Sequence, residues 1–220
     1  MKKIFVLGLA LALVISFTSL LEAKKKTYLV DMNLDKVTRE PGLEKEIKVI
    51  GGKSFTDELI QIQWTPAPEE LKFELLNNSD ISISITWEES SFIDKDKKKH
   101  RVLHSGIKPE NLNKTMPPLD IPAKQKIKDM VYPGDYLFLK QKTEVDRGLD
   151  GSMRYGGVIM EWKKKPLFEK KTSLKEADDF DFAGYKENLE KSVFEVVLSL
   201  KAGEKKYEYS FSFKPEVTEK

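Results

Sequence analysis

Apolar and polar side chains alternate between Phe73 and Trp87. Phe73 and Leu75 stand on one side of Glu74. After Leu76-Asn77-Asn78-Ser79-Asp80, the residues Ile81, Ile83, Ile85 and Trp87 recur at every second position, separated by Ser82, Ser84 and Thr86. That period belongs to a strand with one buried face, whereas a helix would scatter the same side chains around its axis. Asn, Ser and Asp between the two runs bond their own main chain or tolerate left-handed backbone. The stretch is therefore predicted to be a β-hairpin. Near the C-terminus the pattern returns: Phe194, Val196, Leu198 and Leu200 share one face, Lys201 to Lys206 make the turn, and Tyr207, Tyr209, Phe211 and Phe213 alternate with polar residues. This is a second hairpin signal.

Weaker strand signals lie at Tyr28–Met32, Glu46–Ile50, Leu59–Trp64, His100–His104, Ile127–Val131, Tyr136–Leu139 and Val158–Trp162. Helix signals are few. Leu174 to Leu189 is acidic and loosely periodic, enough for one or two turns, and Met116–Pro122 reads as an extended edge or loop. Many short strands separated by turn residues predict an all-β fold, an antiparallel β-sandwich with long connecting loops and at most short helical turns. No repeat at fixed spacing and no linker divides the chain.

The run FELLNNSDISISITWEESSFID, followed by HRVLHSG, IPAKQKIKDMVYP and YEYSFSF, resembles an immunoglobulin-like domain of exported bacterial envelope proteins of uncharacterised function. The resemblance spans about residues 55 to 214 and rests on strands and turns. It implies an immunoglobulin-like sandwich and an envelope location, and it carries over no active site. Residues 24–54 are then N-terminal strands or an extension, and residues 215–220 a tail.

The first 23 residues change the picture of location. Lys2 and Lys3 precede an apolar stretch from Ile4 to Leu21, and Ala23 is followed by three lysines. This is the layout of a secretory signal peptide, or of an uncleaved N-terminal anchor, since the stretch is close to the shortest that spans a bilayer. Both predict an exported chain, periplasmic, secreted or on the outer surface. The chain has no cysteine. That excludes disulfides, a thiol nucleophile and a lipidated cysteine, so the fold must be stabilised by its own core. Net charge is only +2 in 220 residues. Arginine is scarce, being confined to Arg39, Arg101, Arg147 and Arg154, which argues against nucleic acid as a partner.

Candidate chemistry is sparse. His100 and His104 have helical metal-ligand spacing, but in a strand they would lie about 13 Å apart and could not share an ion. A shared role would need carboxylates from elsewhere, such as Glu88 or Glu89. Asp94-Lys95-Asp96 opens like a calcium loop and continues with three lysines, so it reads as a solvated hairpin tip. Glu144 to Gly157 gathers carboxylates, glycines and arginines in what reads as a strand connection. Its Asp146, Asp150, Arg154 and Tyr155 are the candidate binding residues, because loops carry function more often than cores. Lys163, Lys164 and Lys165 begin a basic run that suits either an anionic surface or a protected sheet edge.

No motif calls for a metal or other cofactor, and no catalytic residues are assigned. The leading expectation is a non-catalytic protein-binding or assembly module of the envelope, whose partner is another envelope or secreted protein. The alternative is a module binding an anionic glycan or lipid surface through its lysines. A hydrolase with a dispersed site ranks third.

Overall fold

The computed structural model describes residues 28–147, 152–167 and 182–219. Alternation decides the elements. In β4 (Ile60–Ala67), Ile60, Ile62 and Trp64 are buried and Gln61, Gln63 and Thr65 exposed. In β5 (Glu70–Asn77) the buried set is Leu71, Phe73, Leu75 and Asn77. The two strands join through Pro68-Glu69 and pair from Ala67 opposite Glu70 to Ile60 opposite Asn77. The C-terminal hairpin forms as its pattern predicts. β13 (Phe194–Ala202) pairs with β14 (Lys205–Glu219) around Gly203-Glu204. Gly203 has φ +62° at the first turn position, where a two-residue hairpin turn can require glycine.

The remaining strands are β1 (Tyr28–Glu40), β2 (Leu43–Gly52), β3 (Ser54–Thr56), β6 (Ile83–Ile85), β7 (Ser91–Ile93), β8 (Lys99–His104), β9 (Leu119–Ile121), β10 (Lys126–Pro133), β11 (Leu137–Arg147) and β12 (Met153–Lys164). An α-helix, α1 (Phe182–Glu190), precedes β13. Every pairing between them is antiparallel, and twelve of the described strands form one nearly barrel-like sheet. Its order is β2-β1-β14-β13-β7-β8-β10-β5-β4-β3, with β6 and β9 branching from β13. Chain continuity from β2 to β3 brings the two ends of that order together.

The sheet folds over a shared core. Trp64 of β4 meets Phe211 and Phe213 of β14 at ring-centroid distances of 5.2 and 5.1 Å. Phe55 of β3 meets Tyr209 and Phe211 at 6.1 and 6.2 Å. β1 runs between β2 and β14 and buries Met32, Leu34 and Val37. Each such fully buried side chain favours folding by about 1.5–3 kcal/mol before entropy. Among the described residues, no helix is long and apolar enough to cross a membrane.

Three expectations need correction. The runs 73–76 and 81–87 do not pair with each other. β5 lies between β4 and β10, while β6 lies between β13 and β9. The link between them is a crossover, stapled by the buried Asn77, whose Nδ2 donates to the carbonyls of Ile81, Ile121 and Pro122 at 2.8, 2.9 and 3.1 Å. Asp94 is not a solvated tip residue, because it is buried beneath its own turn and accepts from the backbone N–H groups of Asp96 and Lys98, both at 2.9 Å. Finally, most of Glu144–Gly157 is strand and belongs to the ends of β11 and β12.

Candidate functional site

β11 and β12 form a two-stranded sheet of their own, with no third strand among the described residues. They pair from Leu137 opposite Lys164 to Thr143 opposite Val158, shift register, and continue from Val145 opposite Tyr155 to Arg147 opposite Met153. Directly opposed residues share a face. One face therefore carries Leu139, Gln141, Met160 and Trp162, and the other Phe138, Lys140, Lys142, Ile159, Glu161 and Lys163. The apolar members are not covered: Leu139 is 46% exposed, Met160 53% and Trp162 39%, with Phe138 and Ile159 similarly open on the other face. An isolated two-stranded ribbon is marginal in water, so this hairpin is unusual in projecting both its edges and its apolar side chains.

The sequence-predicted site residues other than Asp150 fall along this ribbon or at its root. Asp146 and Arg154 are cross-strand register partners near its far end, with Tyr155 opposite Val145. Asp150 lies outside the described residues. Lys163, Lys164 and Lys165 sit at its root, and each is engaged. Lys163 pairs with Glu161 at 2.8 Å. Lys164 pairs with Glu70 and stands 4.3 Å from the Tyr132 ring centroid. Lys165 stands 4.9 Å from the centroid of Tyr136. The fold thus brings the lysines together and keeps them apart from Asp146 and Arg154.

An open cleft of about 810 Å³ lies at the same root. Tyr136, just before β11, Lys165, just after β12, the β7–β8 turn and α1 all line it. His100, itself buried, also lines the cleft. The ring's Nε2 is 2.8 Å from Asp94 Oδ2 and its Nδ1 is 2.6 Å from Asp135 Oδ1. An ionised carboxylate only accepts, so both contacts are hydrogen bonds only when both ring nitrogens carry hydrogen. Burial pushes the Asp94 carboxyl up, but hydrogen bonds from His100, Lys98 and Asp96 outweigh it and hold the group below the usual carboxylate range. Asp135 is lowered in the same way, burial being outweighed by Lys98 and His100. Tyr136, whose hydroxyl donates to Asp94 Oδ2 at 3.4 Å, is pushed up to about 12 by burial and by that neighbouring carboxylate.

His104, four residues on, has a separate partner, Asp129 Oδ2 at 3.2 Å from its Nδ1. The two histidines accordingly do not share a site, as strand spacing predicts. The carboxylates that meet them are Asp94, Asp129 and Asp135, not Glu88 or Glu89. Asp129 and Asp135 are distant in sequence and gave no local signal. Asp94 carried one, its position at the head of a turn. Among the described residues no group of three or more His, Asp or Glu side chains could hold a metal ion.

Comparison of the chain with known family models, curated proteins and solved structures finds no match.

Proposed function

We propose that this chain is a non-catalytic binding module of the cell envelope, exported by its N-terminal segment, that engages another protein through the β11–β12 hairpin. The observation that carries this reading is the exposed apolar face of Leu139, Met160 and Trp162 on a ribbon neither of whose edges is paired among the described residues. Open edges accept extended segments by backbone pairing, and exposed apolar side chains beside them supply affinity. An immunoglobulin-like strand arrangement beneath the hairpin belongs to the same reading, as a rigid base for a projecting contact element.

Two features weigh against the other readings. Lys163 and Lys164 are paired with carboxylates of the chain, Glu161 and Glu70, which leaves less charge for a polyanion. In the cleft, His100 has both ring nitrogens occupied by carboxylates, so it offers no lone pair to a substrate in this arrangement.

The test is crosslinking capture from native envelope extract at low and high salt, using the chain and its Leu139→Ser/Trp162→Ser variant. A discrete protein held at both salts by the parent and lost by the variant is expected. Capture of only lipid or glycan, lost at high salt, would transfer the role to the lysines. Capture unaffected by the variant would remove the hairpin from the function.

A further inference from the structure

Among the described residues neither edge of the hairpin is paired, and the two edges differ in charge. A strand added beside β12 would neighbour Met160 and Trp162 on one face and Ile159, Glu161 and Lys163 on the other. There Lys163 donates to Glu161 at 2.8 Å and the charges cancel. A strand added beside β11 would instead neighbour Leu139 and Gln141 on one face and Phe138, Lys140 and Lys142 on the other. Lys140 and Lys142 are exposed and two residues apart, so they point the same way. Their field reaches across the ribbon: after the hydrogen bond and charge of Lys163, they too help hold the Glu161 carboxyl below its ordinary range.

We propose, resting on the hairpin reading above, that the β11 edge accepts an extended acidic segment of a partner protein as a third strand. In that segment Asp or Glu alternates with apolar residues. The acids fall beside Lys140 and Lys142, and the apolar residues extend the face of Leu139 and Trp162. Strand period makes the two requirements compatible, since successive side chains go to opposite faces. A third strand also takes the ribbon past the size at which a sheet is marginal.

The alternatives fit less well. A second copy whose β11 aligned on residues 138–142 would set lysine against lysine, and like charges directly opposed across strands are destabilising. A bilayer could cover only one face of a ribbon lying flat, yet Phe138 and Ile159 are exposed on the face opposite Leu139, Met160 and Trp162. Tip-first insertion would carry the β11 positions Glu144, Asp146 and Arg147 into hydrocarbon.

Fluorescence anisotropy of the full chain with three labelled peptides of about nine residues, alternating Val with Glu, with Lys or with Ser, tests this directly at about 0.15 M salt. The Glu peptide is expected to bind at least tenfold tighter than the Lys peptide. Lys140→Glu/Lys142→Glu reverses that order, and Lys163→Glu on the other edge leaves it unchanged. Equal binding of the three peptides, no binding of any, or reversal by Lys163→Glu alone would overturn the inference. These are exposed side chains, so an unchanged circular dichroism spectrum and thermal midpoint accompany each variant. If no peptide binds while Leu139→Ser/Trp162→Ser still abolishes capture from extract, the acidic-strand inference falls and the hairpin reading stands. If the peptides bind as expected while capture survives that variant, the hairpin reading falls instead.

Discussion

The indole of Trp87 and the imidazole of His104 lie parallel, with ring centroids 4.3 Å apart and planes 5° from each other. Trp87 comes from the short 3₁₀ turn between β6 and β7, and His104 from the end of β8. Asp129 of β10 holds the edge of the imidazole, while its other oxygen accepts from the backbone N–H groups of Ser105 and Met130 at 2.9 and 2.7 Å. Burial pushes the Asp129 carboxyl up, but His104, Ser105 and Met130 outweigh it and keep it below the usual range. One stacked pair thereby ties three elements that are remote in sequence.

Removing the imidazole should be costly for that reason. His104→Ala uncovers one face of Trp87 and strips a buried carboxylate of its side-chain partner. A loss of about 3 kcal/mol is expected from urea unfolding. His104→Gln keeps a donor for Asp129 without the stack and should lose less. A loss under about 0.5 kcal/mol for the alanine variant would mean that the stack contributes nothing to stability.

A second lock joins β1 and β14 to the turn between β3 and β4. Arg39 of β1 is buried and places Nη1 2.7 Å from Asp57 Oδ2 and 2.5 Å from Glu58 Oε1. Tyr209 donates to the same Asp57 oxygen at 2.7 Å. Burial disfavours the guanidinium charge, yet Tyr209, Glu58 and Asp57 together raise its pKa above the ordinary value. Asp57 also caps its own turn, accepting from Leu59 and Ile60 at 2.9 and 2.8 Å. Asp57→Ala is expected to lose about 3–5 kcal/mol, the range for breaking a buried pair. Asp57→Asn retains an acceptor and should lose clearly less. Equal losses would show that charge, not the hydrogen-bond geometry, dominates.

Acid should weaken the fold through a defined set of groups. Asp94, Asp129 and Asp135 all have folded pKa values below their ordinary value of 3.8. At acid pH the folded chain thus binds fewer protons at these sites than the unfolded chain, so stability rises with pH across this range. Their contribution is fully present above about pH 5 and is lost as pH falls through the lowered folded values. Urea midpoints measured from about pH 2 to pH 7 should drop steeply only at the acid end. Asp129→Asn should start lower at neutral pH and show a shallower acid slope. An unchanged slope in that variant would remove Asp129 from the set.

Much of the β architecture was legible because burial of one face imposes a period of two, and that period survives without knowledge of the partner strand. The β13–β14 hairpin could be read whole, since its two runs are joined by a short glycine turn that fixes the pairing. The 73–87 stretch could not. Periodicity states which side chains face inward but not which strand lies alongside, and Asn77, which accepts from Ser79 N–H as a turn former does, is also a buried crossover staple. The Asp–His contacts were invisible for a related reason: Asp129 and Asp135 reach β8 only through tertiary pairing. The lysines at 163–165 are legible as a run, whereas Phe138, Leu139, Met160 and Trp162 fall in weak strand signals, Tyr136–Leu139 and Val158–Trp162, that leave their exposure open. Composition does not distinguish a strand that packs from one that projects.

The tryptophans separate those two roles experimentally. Trp64 is 1% exposed and touches Phe73, Phe211 and Phe213, whereas Trp162 is 39% exposed on the free ribbon. Trp64→Ala should lose about 3–5 kcal/mol through the cavity it leaves. Trp162→Ser should change stability by no more than about 0.5 kcal/mol. Acrylamide should quench the emission of Trp162 first, and the Trp162→Ser variant should lack that accessible component while unfolding at the parent's urea midpoint. If Trp162→Ser instead unfolded early, the residue would be part of the packed fold. Its exposure could then no longer be read as a surface held open for another chain.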